Sequence, residues 1–223
     1  MLENKKAVIF DLDGSLVDSM WIWPEVDVQY MEKYNLTAPV DFHKAIEGMS
    51  YTETAQYFLD TFPTLPCTLD DVRREWRDMT YELYTTRVPL KPGALGFLED
   101  MRKREIALGI ATSNARELVD AALKALGVDT FFKSVRTSCE VSAGKPAPDV
   151  YLKVAKDLQV RPQECLVFED VPRGIEAGKN AGMEVCAVDD LFSRPDEAEK
   201  KKLADYFIYD YYDIPNHTYE ICR

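Results

Sequence analysis

Short apolar or β-branched runs alternate along this chain with stretches whose apolar residues return every three or four positions. The runs are Ala7 to Phe10, Ile106 to Ala111, Ser134 to Thr137, Cys165 to Phe168, Glu184 to Val188 and Tyr206 to Ile208. Their continuous apolar character suits strands buried on both faces of a parallel sheet. Between them, Leu118, Ala122, Leu123 and Leu126 precede Gly127, and Val150, Val154 and Leu158 follow Pro148 and Asp149, which predicts amphipathic helices with recognisable ends. Strand and helix in regular alternation predict an α/β chain with a doubly wound, Rossmann-like parallel sheet.

One interval breaks the alternation. From about Ser19 to Leu90 no strand pattern occurs, only helical stripes (Trp21, Ile22, Val26 and Tyr30, later Trp76, Met79 and Tyr81 to Leu83) interrupted at Ala38-Pro39, Gly48 and Pro63 to Pro66. Pro89 and Lys91-Pro92-Gly93 mark the return to the sheet, because proline and glycine punctuate elements. The expected organisation is therefore an α/β domain made of residues 1–18 and 91–223, with an α-helical module, 19–90, inserted after the first strand. The charged run Asp196 to Lys202 reads as a solvated helix face, and the Tyr- and Asp-rich tail from Tyr209 as an irregular segment. His43, with no partner acids at metal spacing, reads as a surface helix residue.

Charge narrows the partners. With 27 Lys+Arg against 39 Asp+Glu, the 223-residue chain carries a net charge of −12 and no basic arm, which disfavours nucleic acid and anionic membranes. The apolar run near the N-terminus is too short for a signal-peptide core or a membrane span. The five cysteines (67, 139, 165, 186 and 222) contain no C-x-x-C pair, so neither a zinc site nor a disulfide framework is expected. A cytoplasmic protein follows, and with no heptad or extended apolar patch in the sequence a monomer is favoured.

The chemistry gathers at strand ends. The first strand runs into Asp11-Leu12-Asp13-Gly14-Ser15, at the edge where open α/β sheets bind ligands. Alone, Asp11-Leu12-Asp13-Gly14 fits a capped turn as well as a site; a calcium loop is excluded because glycine is fourth instead of sixth and position twelve is Ile22. The second strand ends in Thr112-Ser113-Asn114, hydroxyls and an amide suited to an anion at a helix N-terminus or to capping that helix. Gly144-Lys145-Pro146 offers a cation, and the fourth strand ends in Glu169-Asp170. Because parallel strands end on one edge, residues 11, 13, 113, 145 and 170 can converge. Four carboxylates with one lysine would repel a phosphate dianion, and a hard divalent cation held by oxygens, Mg²⁺, removes that repulsion.

In this order, Asp11-Leu12-Asp13-Gly14-Ser15, Ser113, Lys145-Pro146 and Glu169-Asp170 with its trailing Arg173-Gly174-Ile175-Glu176-Ala177 resemble the four motifs of the haloacid dehalogenase-like superfamily, over essentially the whole chain. Ser15 stands where threonine is commoner. The resemblance implies that the inserted helices are the family's small cap, Asp11 the nucleophile forming an aspartyl-phosphate, and Asp13 the general acid and base. It also implies phosphoryl binding by Ser113 and Lys145, with Asn114 beside them, and a Mg²⁺ site made by Asp11, Asp13, Asp170 and Glu169. An acid at position 13 favours phosphoryl transfer over dehalogenation.

Within the superfamily the chain is most similar to β-phosphoglucomutases and allied sugar-phosphate phosphatases, and Gly48-Met49-Ser50 resembles the mutase cap loop. Mutase-like sequences, however, carry a basic residue before that glycine, an arginine after the serine and a histidine near the start of the cap. Here those positions hold Glu47, Tyr51 and Trp23. The expectation is a phosphatase of a small phosphorylated metabolite, with Trp23, Gly48, Ser50 and Tyr51 as cap residues facing substrate. A hexose-phosphate mutase and a non-catalytic phospho-ligand module are the alternatives.

Overall fold

The computed structural model describes residues 1–222, the side chain of His43 apart, so the expectation for that histidine lies outside the described residues. Seven strands form one sheet: β1 (Ala7–Phe10), β2 (Ala107–Thr112), β3 (Ser134–Thr137), β4 (Cys165–Glu169), β5 (Glu184–Val188), β6 (Tyr206–Ile208) and β7 (Glu220–Ile221). Their order is β3-β2-β1-β4-β5-β6-β7, all parallel except β7, which runs antiparallel to β6. The strands expected from sequence occupy these positions to within a residue. Their side chains alternate between two cores. Val8, Phe10, Ile110 and Phe168 belong to one, and Ala7, Ile9, Ala111 and Val167 to the other.

Ten α-helices lie among the described residues: α1 (Ile22–Lys33), α2 (Phe42–Ile46), α3 (Tyr51–Thr61), α4 (Leu69–Thr86), α5 (Ala94–Lys103), α6 (Arg116–Ala125), α7 (Asp149–Leu158), α8 (Pro172–Asn180), α9 (Glu197–Leu203) and α10 (Asp213–Asn216). The first four lie between β1 and α5, as the helical interval predicts. Ser50 and Thr68 start α3 and α4 with capping boxes, each side chain accepting from the third backbone amide while that residue's carboxylate accepts from the cap's own amide. The first core continues without a break into these helices through Ile22, Tyr30, Phe58, Trp76 and Tyr84, so they share apolar packing with the sheet.

Two expectations are corrected. The tail is not irregular: it forms α10 and the edge strand β7, because Tyr211 is buried at 1% exposure against Phe97 and Phe168 and fixes the chain there. Nor is the run 196–202 wholly solvated. Lys200 is fully buried, its ammonium donating to the Val188 carbonyl (3.0 Å) and Ser193 Oγ (2.9 Å), so one cation of the run points inward to hold the end of β5.

Candidate active site

Register delivers the acids to one place. Phe10 sits level with Ile110 on β2 and Phe168 on β4, and the amide of Asp11 continues the ladder to the Phe168 carbonyl (2.9 Å), so Asp11 and Glu169 emerge side by side. Lys145 reaches between them from the segment before α7, its Nζ 2.6 Å from Asp11 Oδ1 and 2.5 Å from Glu169 Oε1. Tyr151, on α7, donates to the same Glu169 oxygen at 2.6 Å. Glu169 Oε2 accepts the Asp170 amide at 3.1 Å, which leaves the glutamate fully engaged and fixes the next residue. Asp170 Oδ1 accepts from Ser15 Oγ (3.1 Å), whereas its Oδ2 is buried with no hydrogen-bond partner.

Burial raises the pKa of Asp11 and Asp170 above the carboxylate range, and neighbouring carboxylates, Glu169 foremost, push in the same direction. Lys145 only partly relieves Asp11. Burial disfavours the lysine's charge too, but the Asp11 and Glu169 carboxylates outweigh it, so its pKa lies above the ordinary lysine value. The cluster thus has more negative charge than one ammonium balances.

A small hard cation fits this imbalance. Carboxylate oxygens of Asp11, Glu169 and Asp170 lie within 4.8 Å of one another, and the donor set is all oxygen. The orphaned Oδ2 of Asp170 is the kind of buried acceptor that otherwise costs about 1–3 kcal/mol unless something binds it. Gly14, at φ +78°, passes directly over that oxygen; a β-carbon there would overlap it.

Asp13 is held differently. Its Oδ1 accepts from Ser19 Oγ (2.6 Å) and from the hydroxyl of Tyr84, and its Oδ2 from Asn114 Nδ2 (2.9 Å). Burial raises its pKa, opposed by those three hydrogen bonds. Asn114 also donates to the Tyr84 oxygen at 2.8 Å, and its own carbonyl oxygen accepts the Ala115 amide where α6 begins. Thus Asn114, expected to face phosphate, is bonded to the second aspartate.

The loop between α2 and α3 closes over this edge. The amide of Tyr51 donates to the Ser113 carbonyl (2.8 Å), and Ser113 Oγ to the Gly48 carbonyl (3.3 Å). Gly48, at φ +76°, lets the chain pass Lys145, whose carbonyl would be 2.9 Å from any β-carbon. Arg173 on α8 donates to the Glu47 carbonyl (3.2 Å). Beneath the loop lies a cavity of about 800 Å³ whose floor includes Asp11, Asp13 and Lys145 and whose roof includes Trp23, Gly48 and Tyr51. Ser50 is not among its lining; its hydroxyl is the N-cap of α3.

Three contributors escaped the sequence reading: Tyr84, Ser19 and Tyr151, each donating to an acid of the site. Ser19, six residues after Asp13, was within reach of a turn argument. Tyr84 and Tyr151 lie on helical stripes where an aromatic residue reads as core, and only the fold reveals that their hydroxyls end on carboxylates.

Among the described residues no helix is long and apolar enough to cross a membrane. Comparison with known proteins agrees with the geometry. The chain is 29% identical over 179 residues, 80% of its length and 82% of the relative's, to a phosphorylated carbohydrates phosphatase of Thermotoga maritima. It is 32% identical over 183 residues, 82% of each chain, to hexitol phosphatase A of Escherichia coli. The crystal structure of a β-phosphoglucomutase from Clostridium difficile superposes with a TM-score of 0.77 at 22% identity, covering 93% of this chain and 92% of that one, and shares the fold. Residues 8–188, from the first strand to the end of the fifth, match the sequence pattern of one family throughout, and the chain therefore belongs to the haloacid dehalogenase-like hydrolases.

Proposed function

We propose that this protein is a Mg²⁺-dependent phosphatase that hydrolyses a small phosphorylated metabolite, a sugar phosphate by preference, through an aspartyl-phosphate on Asp11. The observation that carries the reading is the buried, unpartnered Oδ2 of Asp170 beside Asp11 and Lys145. Asp11, Asp170 and the backbone carbonyl of Asp13 would hold the ion, with Glu169 orienting Asp170 through its amide. When bound, the ion offsets the negative charge that a phosphoryl group brings to these carboxylates.

The rest falls to the chain's own groups. Lys145 orients Asp11 and, with Ser113, binds phosphoryl oxygens. Asp11 attacks phosphorus in line while Asp13 protonates the departing oxygen, and Asp13 then takes a proton from the water that hydrolyses the aspartyl-phosphate. Residues 19–90 act as a cap on the domain formed by 1–18 and 91–223, and its closure over the cavity excludes bulk water. Named phosphatases of phosphorylated carbohydrates and hexitols among the relatives support this reading, as does the absence of a basic side chain at Glu47, Tyr51 and Trp23 to hold a second phosphate. A cytosolic setting accords with free thiols on all five cysteines.

Purified protein offered 4-nitrophenyl phosphate with and without Mg²⁺ tests the assignment. Metal-dependent turnover, abolished in Asp11→Asn, is expected. No turnover with metal would leave a phospho-ligand binding module, and conversion of β-glucose 1-phosphate chiefly to glucose 6-phosphate instead of free phosphate would make the protein a mutase.

A further inference from the structure

Tyr84 is a cap residue, near the end of α4, yet its hydroxyl is buried against a carboxylate that belongs to the sheet domain. The direction of this contact is fixed. The Asn114 amide nitrogen can only donate, and it points at the Tyr84 oxygen from 2.8 Å; the phenolic proton is therefore directed at Asp13 Oδ1. Trp23 packs against the Tyr84 ring at 6.2 Å between centroids, holding it from the cap side. Ser19 Oγ, 2.6 Å away, donates to the same Oδ1.

Counting acceptor sites then separates the two oxygens of Asp13. An ionised carboxylate oxygen accepts about two hydrogen bonds. Oδ1 already receives two, from Ser19 and Tyr84, while Oδ2 receives one, from Asn114. We propose that Tyr84 is a positioning residue for the general acid: with Ser19 it occupies both acceptor sites of Oδ1, so that Oδ2 is the oxygen that carries the proton and delivers it to the leaving group. The inference rests on the phosphatase reading and adds to it a cap residue that acts through Asp13 without touching substrate.

The step balances as follows. An Asp11 oxygen forms a bond to phosphorus as the ester P–O bond breaks; the bonding pair goes to the leaving oxygen, which takes the proton from Asp13 Oδ2. Asp13 is left as a carboxylate, ready to accept a proton from water in the second half-reaction. Without the Tyr84 hydroxyl, Oδ1 regains an open acceptor site, and the proton is no longer confined to Oδ2.

Tyr84→Phe, which keeps the ring in the core, is compared with wild type in Mg²⁺ on 4-nitrophenyl phosphate and on phenyl phosphate. The readout is kcat/KM, which covers events up to leaving-group departure. Phenolate needs a proton far more than 4-nitrophenolate does, so the loss should be about tenfold larger on phenyl phosphate, a part of the 10²–10⁴ that a general acid contributes. Ser19→Ala, which frees the other site on Oδ1 without touching the cap core, should show the same selective loss and carries the test if Tyr84→Phe does not fold. Equal losses on both esters, or none, in a folded variant would overturn the Tyr84 role while leaving the phosphatase intact. Wild-type protein inactive on both esters in Mg²⁺ would instead overturn the phosphatase reading, and the Tyr84 role with it.

Discussion

Gly14 and Asp170 are packed so closely that a β-carbon on the glycine would overlap the Oδ2 atom of the aspartate and come within 2.9 Å of Met20. The glycine also sits at φ +78°, a conformation alanine adopts only with strain. Gly14→Ala should therefore push the Asp170 carboxylate off its present position. The expected outcome is a loss of Mg²⁺ affinity of about 10- to 100-fold, the range seen when groups supporting a metal ligand are disturbed. Titrating Mg²⁺ into the variant by calorimetry checks it, and an unchanged binding constant would mean that Asp170 Oδ2 is not a ligand.

Lys145 is the one ammonium within hydrogen-bond distance of both Asp11 and Glu169 among the described residues. Lys145→Met should lower kcat on 4-nitrophenyl phosphate by about 10²-fold or more, as loss of a charge-stabilising donor does. The variant leaves Asp11, Glu169 and Asp170 facing one another with no cation. Its Tm should accordingly lie below wild type in EDTA, and millimolar Mg²⁺ should narrow the gap, because an ion that binds only the folded state stabilises it by mass action. A gap of the same size in both buffers would show that lysine and metal do not compensate the same charge.

The strands β1 to β6 are legible because short apolar or β-branched runs between helical stripes suit a sheet buried on both faces, whereas the two-residue edge strand β7 leaves no such run, and the convergence of Asp11, Asp13, Ser113, Lys145 and Asp170 on one cavity follows from parallel strands ending on one edge. What stayed hidden has a common cause. Tyr84, Tyr151 and Lys200 are amphipathic side chains whose stems pack like core or surface residues while one polar atom makes a long-range bond, and periodicity registers only the stem. Ser50 misled for a related reason: a serine after Gly48-Met49 fits a substrate loop, but a glutamate three residues later makes it the N-cap of α3.

The start of α4 gives the fold a pH-sensitive joint remote from the acids of the cavity. Hydrogen bonds from the Thr68 hydroxyl (2.6 Å) and amide (3.0 Å), and from Arg74 (2.5 Å), lower the Asp71 carboxyl from its ordinary 3.8 to about 2. Because the folded-state pKa is the depressed one, the stabilisation is fully present above the unfolded value near 3.8 and is lost as pH falls through about 2. Asp71→Asn should thus be less stable than wild type at pH 6, with the difference in urea midpoint shrinking below pH 4. A difference independent of pH would assign the effect to helix propensity instead of to the ionised cap.

Tyr211 ties the C-terminal segment to the loop that carries the chemistry. Its hydroxyl donates to the Ser15 carbonyl at 3.2 Å, its amide to the Pro92 carbonyl at 3.0 Å, and its ring lies 5.2 Å from that of Phe168 and 5.3 Å from that of Phe97. Ser15 in turn holds Asp170 Oδ1, so the tail sits two contacts from this proposed metal ligand. Tyr211→Phe removes one buried hydrogen bond and strands the Ser15 carbonyl, which should cost about 1–3 kcal/mol. Tyr211→Ala also empties an aromatic site and should cost about 3–5 kcal/mol, a large share of a typical domain's 5–15. Urea unfolding measures both. The phenylalanine variant separates support of the fold from support of the site: if the hydroxyl steadies the Ser15 loop, its Mg²⁺ binding constant weakens along with stability. Lost stability with unchanged Mg²⁺ binding would confine Tyr211 to the core.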